Sequence, residues 1–257
     1  MTAWLPCPYA ADYRFDGERV RAQWSALHAV DDEPPPDSDA LLQAWVLFHS
    51  GQFEQATDAG LALGIDGLSV ANRATAAYAA LVEPHEPTRI ELFRRVHARA
   101  CAHAAQRPQQ PSAWYWQGDA LARYANGIHV ARALAQGLGT QVRAALEATL
   151  ALDPNHAYAH VALATFQASV IDKVGPLVGA MTYGAHAAAV HRHLDHAQRL
   201  APDSPAVLHE CANALLLLEG EARLAEATRL LEHAARLTAR DAVERLWVEL
   251  ARARLTL

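Results

Sequence analysis

The chain has 257 residues, which at roughly 150 residues per domain allows one large domain or two small ones. Apolar residues make up 52% of the chain and 57 residues are alanine, a composition that excludes a disordered protein and favours closely packed helices. With 22 basic and 28 acidic residues the net charge is −6, which argues against a general nucleic-acid binder because such proteins need a dense basic face.

Short helices interrupted by proline are predicted at the start of the chain. Apolar residues at helical spacing indicate a helix over 17–29, and the three prolines within 31–39 prevent this helix from continuing. Asp37, Ser38 and Asp39 can each cap a second helix over 39–50.

Glycine and proline also separate the next three helices. Gly51 ends the second helix, and apolar residues in 52–63 predict a third that packs against it as an αα-hairpin. Another pair follows at 70–82 and 89–106, with Ser69 and Thr88 as the predicted capping residues.

The second half of the chain contains an internal repeat. Alanine-bearing helix starts recur at 113–118, 157–164 and 206–212. Pro111, Pro154 and Pro202 follow one another at intervals of 43 and 48 residues. Helix pairs repeated at such a period are typical of solenoids, in which neighbouring pairs stack because no single pair can bury its own apolar face.

The residues at these repeated positions resemble the tetratricopeptide repeat (TPR) family, whose pattern of a Trp, small residues and a closing Pro spans 34 residues. The resemblance covers residues 38–240 and implies an all-α, TPR-like solenoid of antiparallel helix pairs. It is carried by Ala44, Leu47, Gly51, Phe53, Ala56, Trp114, Gly118, Leu150, Leu152, Pro154, Leu163, Ala164, Leu194, Ala197, Leu200, Pro202, Cys211, Ala212, Ala227, Leu231 and Ala234.

Two units are longer than the family pattern because each carries an apolar, glycine-bearing insert, at 126–141 and at 171–186. We expect each insert to form a helical extension followed by a loop. These expanded repeats resemble the TPR proteins that are similar to microtubule-dynamics regulators and those associated with TRAP transporters. Neither resemblance implies catalytic residues.

The TPR resemblance also indicates which side chains face the concave groove of the solenoid, where these proteins bind a partner. The alternative is that the inserts cover this surface, so that the same side chains line a filled interior. The pattern by which chaperone-binding TPR proteins hold a carboxylate is met only at Asn213. The predicted groove residues are Tyr115, Asp119, Arg123, Tyr158, Thr165, Ser169, His209 and Asn213.

Fourteen histidines raise the possibility of a metal site. On a helix, His191 and Asp195 share one face while His193 and His196 share another, so this group divides into two pairs, whereas zinc needs three or four ligands. His156 and His160 form a further pair, but we expect His156 to cap a helix and so not to share a helical face with His160. No metal-binding signature such as HExxH is present. We therefore predict no metal and no cofactor.

Nucleophilic catalysis and membrane insertion also lack support. Cys101 lies one turn from His97, but no residue pattern suggests activation of the thiol. With Cys7 and Cys211 it makes three widely spaced cysteines, which argues against a disulfide framework and favours a reducing compartment. The uncharged stretch 174–190 is too short and too rich in glycine for a membrane span, which needs about 20 apolar residues.

Taken together, the sequence predicts a cytoplasmic, non-enzymatic TPR scaffold that binds a protein or peptide partner in its groove and binds no nucleic acid. It predicts an N-terminal cap over 1–36 and a repeat domain over 37–257, with 1–29 and 241–255 covering opposite ends of the solenoid. One alternative is a protein that holds a small hydrophobic ligand under the inserts, in binding or transport. A histidine-based metalloprotein is the other.

Overall fold

The computed structural model describes residues 4–256, apart from the side chains of Val130 and Leu134. Most of these residues form α-helices, whereas the segments 4–16 and 28–38 are not helical. The described part of the chain contains no β-strand, so the all-α prediction is confirmed. Short 3₁₀ helices at Gly64–Gly67 and Gly220–Arg223 precede α4 and α13. The helices are α1 (Gly17–Leu27), α2 (Asp39–His49), α3 (Phe53–Ala62), α4 (Leu68–Leu81), α5 (Glu86–Gln106), α6 (Pro111–Asn126), α7 (Val130–Ala135), α8 (Leu138–Leu152), α9 (Ala157–Val174), α10 (Pro176–Tyr183), α11 (Ala187–Leu200), α12 (Pro205–Glu219), α13 (Leu224–Arg236) and α14 (Ala242–Leu255).

Capping side chains set several helix starts. Of the three residues predicted as possible caps of α2, Ser38 is the one used, and its hydroxyl accepts a hydrogen bond from the backbone N–H of Leu41. The prediction for α5 is wrong, because this helix begins before Thr88, with His85 at the N-cap and a proline in its first turn. Proline is tolerated there because the first-turn N–H groups have no partner within the helix. Helix α4 also starts one residue before Ser69, the residue predicted to cap it.

Helices pack in consecutive pairs, and the first helix of each pair contacts the first helix of the next. The pairs are α2 with α3, α4 with α5, α6 with α8, α9 with α11, and α12 with α13. The stretches that begin near residues 113, 157 and 206 become α6, α9 and α12; α9 contacts both of the others. Gly118 allows α6 and α8 to approach closely, since a Cβ atom there would lie 2.7 Å from Cγ of Leu146.

Each insert contains a separate short helix, α7 in the first and α10 in the second, which was not predicted. In the first insert the predicted extension is absent, because α6 ends at Asn126. In the second insert the predicted extension is present, because α9 continues to Val174 before Gly175 ends it. Helix α10 packs on α9 but leaves Leu177 and Met181 exposed, at 72% and 81%.

The two terminal segments contact each other, which differs from the expectation that they cover opposite ends. Helix α14 contacts α4 as well as α12 and α13. At its start Asp241 accepts a hydrogen bond from Nδ1 of His49, 2.7 Å away and 192 residues earlier. The Arg240 guanidinium also donates to the carbonyl oxygen of Ala26. Residues 1–3 and 257 of these segments lie outside the described residues.

Gly51 makes this contact between the termini possible. Its φ of +77° is a left-handed conformation that glycine adopts without strain. A Cβ atom at this position would lie 2.9 Å from Cβ of Ala242 and 3.1 Å from Sγ of Cys7. The turn between α2 and α3 therefore serves as a packing surface for both ends of the described chain.

Candidate binding cavity

A cavity of about 210 Å³ lies between helices α2, α4, α6, α9, α12 and α14, and we call it the central cavity. The first helix of every pair contributes to its wall. Much of that wall is alanine, and aromatic rings from Phe48, Trp116, Phe166 and Trp247 complete it. Helix α14 contributes Val243 and Trp247 and also contacts α4, so segments far apart in sequence meet at this cavity.

Six of the eight predicted groove residues line the central cavity. Ser169 instead lies beside a neighbouring cavity of about 70 Å³, where its hydroxyl donates to Oδ1 of Asn126. His209 is buried against Trp247, with ring centroids 5.2 Å apart, and does not line either cavity. The six residues that the structure brings together are Tyr115, Asp119, Arg123, Tyr158, Thr165 and Asn213.

Sequence reasoning missed Glu210, the residue that completes the charged part of the cavity wall. The guanidinium of Arg123 donates from Nε to Oδ2 of Asp119 over 2.9 Å and from NH2 to Oε1 of Glu210 over 3.2 Å. Asp119 and Arg123 are one turn apart on α6, a spacing that sequence reveals, whereas Glu210 comes from α12. The TPR register selected its neighbour His209, one position away.

Burial changes the acid–base properties of this group. It raises the pKa of Asp119 above its usual value, although Arg123 acts in the opposite direction and Glu210 adds to the increase. Burial alone would lower the pKa of Arg123, but the two carboxylates hold it above its usual value. The arginine is therefore charged at any pH at which the protein folds, and Asp119 binds a proton more readily than an exposed aspartate does.

Several hydrogen-bonding groups at the cavity have no partner within the described residues. Burial raises the pKa of the Tyr115 and Tyr158 phenols, so both stay protonated and able to donate, and neither makes a hydrogen bond to the described chain. Oγ1 of Thr165 is buried and also unpaired. Buried polar groups in proteins normally have partners, so these groups are available to a ligand or to water.

The N-terminal segment 28–33 covers one side of the cavity wall. The backbone N–H of Tyr158, in the first turn of α9, donates to the carbonyl oxygen of Val30 over 3.4 Å. Arg73, whose side chain lines the cavity, pairs with Asp31 and with Nδ1 of His28. The carbonyl oxygen of Glu33 accepts from Nε1 of Trp24 over 2.8 Å, so the segment is held at both of its ends.

The buried charges of this segment have strongly displaced pKa values. Burial lowers the pKa of His28 to about 4 and raises that of Glu33 to about 7, the latter with a contribution from Asp31. Although burial alone would raise the pKa of Asp31, Arg73 and His28 hold it well below its usual range. The Arg73–Asp31 pair is thus fully ionised, whereas Glu33 is partly protonated near neutral pH.

The histidines form a different cluster from the one considered in the sequence. Nδ1 of His160 lies 2.8 Å from Nδ1 of His193, and the ring of His196 lies 4.4 Å from that of His160, measured between centroids. His191 instead contacts Glu219, and His156 caps α9 as predicted. Among residues 4–256, no group of three or more His, Cys, Asp or Glu side chains is arranged to hold a metal ion.

The cysteines are free, and burial raises the pKa of each one. Cys7 and Cys211 are buried, as expected for small apolar residues, while Cys101 is partly exposed. Its Sγ lies 3.5 Å from Nε2 of His97. A raised thiol pKa disfavours the thiolate that nucleophilic catalysis requires.

None of the helices in the described part of the chain is both long and apolar enough to cross a membrane. No model of a known protein family matches the chain, and a search of curated proteins gave no match either. The site must therefore be interpreted from its own geometry.

Proposed function

We propose that this chain is a non-enzymatic, TPR-like helical-repeat protein that binds a small molecule in the central cavity. The observation that carries the proposal is the convergence of the first helix of every pair on one cavity that contains unpaired polar groups. In a TPR-like arrangement those helices form the inner, ligand-facing surface, and the resemblance seen in the sequence supports this assignment.

Cavity size supports a ligand of small dimensions. The volume of about 210 Å³ exceeds the roughly 150 Å³ that accommodates benzene in an engineered protein cavity, and it is below the usual 300–1,000 Å³ of drug-sized sites. A ligand of about five to ten non-hydrogen atoms suits this space. Apolar walls would supply contact area, and the phenols of Tyr115 and Tyr158 would fix its orientation by hydrogen bonds.

The groove hypothesis for an extended peptide has less support. Residues 28–33 already lie on α4 and α9, and α14 closes against α4. A peptide that follows the inner surface would have to displace the Arg73–Asp31 ion pair, which is buried and costly to break. The site also differs from the ligand site first considered, because the inserts line mainly the smaller neighbouring cavity and supply only Asn126 to the central one.

Filling the cavity tests this proposal. Ala162 of α9 lines the central cavity, and Ala162→Phe would occupy much of it. Saturation-transfer NMR with isobutanol as the probe should show binding to the unmodified chain and loss of binding in the variant. Native mass spectrometry of the freshly purified chain should show a bound small molecule that Ala162→Phe lacks.

Ala188→Phe provides the matched control, because Ala188 is exposed on α11 and lies outside both cavities. It should bind the probe as the unmodified chain does, and thermal melting of all three proteins checks that each is folded. Equal probe binding by a folded Ala162→Phe variant would refute the proposed function, as would an unmodified chain that binds neither isobutanol nor a charged probe of the same size.

A further inference from the structure

Negative charge exceeds positive charge at the central cavity. Asp119 and Glu210 share one guanidinium, that of Arg123. The hydrogen bonds use one oxygen of each carboxylate, and the second oxygens have no hydrogen bond within the described residues. The three side chains together carry one uncompensated negative charge when both carboxylates are ionised.

Arg73, the other arginine of the wall, does not supply the missing positive charge. Asp31 neutralises it, and its guanidinium lies 5.3 Å from the ring centroid of Phe48 and 5.9 Å from that of Tyr158. The charge of an arginine held in this way is already compensated by its carboxylate. The excess charge therefore belongs to the Asp119–Arg123–Glu210 group alone.

We infer that the small molecule held in the central cavity is an amine, whose ammonium group lies against Glu210 and Asp119. This inference rests on the proposed function and specifies the chemical class of its ligand. An ammonium has three donors and no acceptor, which matches the unpaired carboxylate oxygens. An anion would be repelled by the two carboxylates. A neutral molecule would leave the excess negative charge without compensation.

The rest of the wall suits such a ligand. The aromatic faces of Tyr115, Trp116 and Trp247 offer a favourable surface for a cation, and alanine side chains leave room for a short apolar body. The raised pKa of Asp119 agrees with this view, because a buried carboxylate that lacks sufficient positive charge holds its proton more tightly. A bound ammonium would lower the pKa of Asp119, so binding at a pH near that pKa would release a proton from Asp119.

Three probes of nearly equal size separate the charge classes: isobutylamine, isobutanol and isobutyrate. Titrated at pH 7.5 into the unmodified chain and followed by protein-detected NMR, isobutylamine should bind at least tenfold more tightly than the other two. The preference should disappear in Glu210→Gln, while the affinity for isobutanol stays within twofold. Glu221→Gln, an exposed control at the turn before α13, should keep the full preference.

The outcomes distinguish this inference from the proposed function. If isobutanol or isobutyrate binds as tightly as isobutylamine, and Ala162→Phe abolishes that binding, the cavity binds ligands but the inference of an amine is wrong. An unchanged amine preference in Glu210→Gln, with Asp119→Asn equally unchanged, would also overturn it. If no probe binds in a way that depends on Ala162, the proposed function fails as well.

Discussion

Glu33 offers a sharp test of the buried segment 28–33, because its carboxyl group titrates inside the protein. Burial raises the pKa of Glu33 from the usual 4.5 of a glutamate to about 7. A group whose pKa is raised by folding stabilises the folded state fully below its unfolded pKa, and this stabilisation is lost as the pH rises through the folded value. Glu33 should therefore reduce stability between about pH 4.5 and pH 7.

The size of the effect follows from the pKa difference. At about 1.4 kcal/mol for each pKa unit, the change from 4.5 to about 7 corresponds to roughly 3 kcal/mol over the whole range. Glu33→Gln keeps the shape of the side chain but cannot ionise. The free energy of unfolding of this variant, minus that of the unmodified chain, should therefore rise by roughly 2 to 3 kcal/mol between pH 5 and pH 8.5.

The difference between the two proteins is the quantity to measure, because His28 has the opposite effect on the unmodified chain. Burial lowers the pKa of His28 to about 4, so the stability that it contributes is present above about pH 6.5 and is lost as the pH falls toward 4. Urea unfolding followed by tryptophan fluorescence at pH 5, 6, 7 and 8.5 supplies the values. Subtraction cancels the contribution of His28.

Glu221→Gln is the control for this series as well, since Glu221 is exposed. Its difference from the unmodified chain should stay within about 0.5 kcal/mol at every pH, as is usual for surface substitutions. A difference for Glu33→Gln that is equally flat would refute the reasoning, because it would mean that Glu33 is ionised in the folded state throughout this range.

Three further substitutions test the packing, the capping and the buried ion pair by urea unfolding. Gly118→Ala should lower stability by about 1 to 2 kcal/mol, because the clash with Leu146 outweighs the gain in helix propensity; a net gain would contradict the close approach of α6 and α8. Ser38→Ala should cost about 1 kcal/mol through loss of the cap of α2, and no loss would show that the cap contributes little. Arg73→Met should cost about 3 to 5 kcal/mol, most of it recovered when Asp31→Asn is added; additive losses would contradict direct pairing.

Local features of the fold could be predicted because they depend on neighbouring residues. The spacing of apolar residues fixed the helices 39–50 and 52–63 to within a residue or two of α2 and α3. The start of α5 was misjudged because Thr88 has a good capping side chain, yet Pro87 fits the first turn and lets the helix begin earlier.

Contacts between distant segments could not be predicted in the same way. The prolines in 31–39 correctly indicated the end of a helix, but proline-rich sequence is usually a solvated connection, and here Glu33 is 8% exposed. The bond between His49 and Asp241 joins residues that no repeat or periodicity relates. Helix α14 packs on α4 through long-range contacts of this kind. No sequence pattern indicates any of these contacts.

Residues of the candidate site could be predicted where they recur at helical spacing along one face. They could not be predicted where a shift of a single position decides whether a side chain faces the cavity. Six of the eight expected residues line one cavity, five of them on α6 and α9 and the sixth, Asn213, on α12. On α12 the expected register placed Asn213 at the cavity but selected His209, whereas its neighbour Glu210 lines the wall. A single position rotates a helical residue by about 100°, and His209 is accordingly packed against the ring of Trp247 without lining the cavity itself.

Alanine content connects the composition to the cavity. Alanine favours helices because it loses no side-chain entropy, but its one methyl group fills little space. Where small residues meet across a close contact, as at Gly118, the helix backbones approach and no space remains. Where six helices converge around a common centre, the backbones cannot all approach, and alanines at 76, 77, 80, 122, 162 and 206 leave the volume unfilled. The same residues that make the chain helical thus create the central cavity, and we infer that the charged group of Asp119, Arg123 and Glu210 gives that cavity a chemical preference.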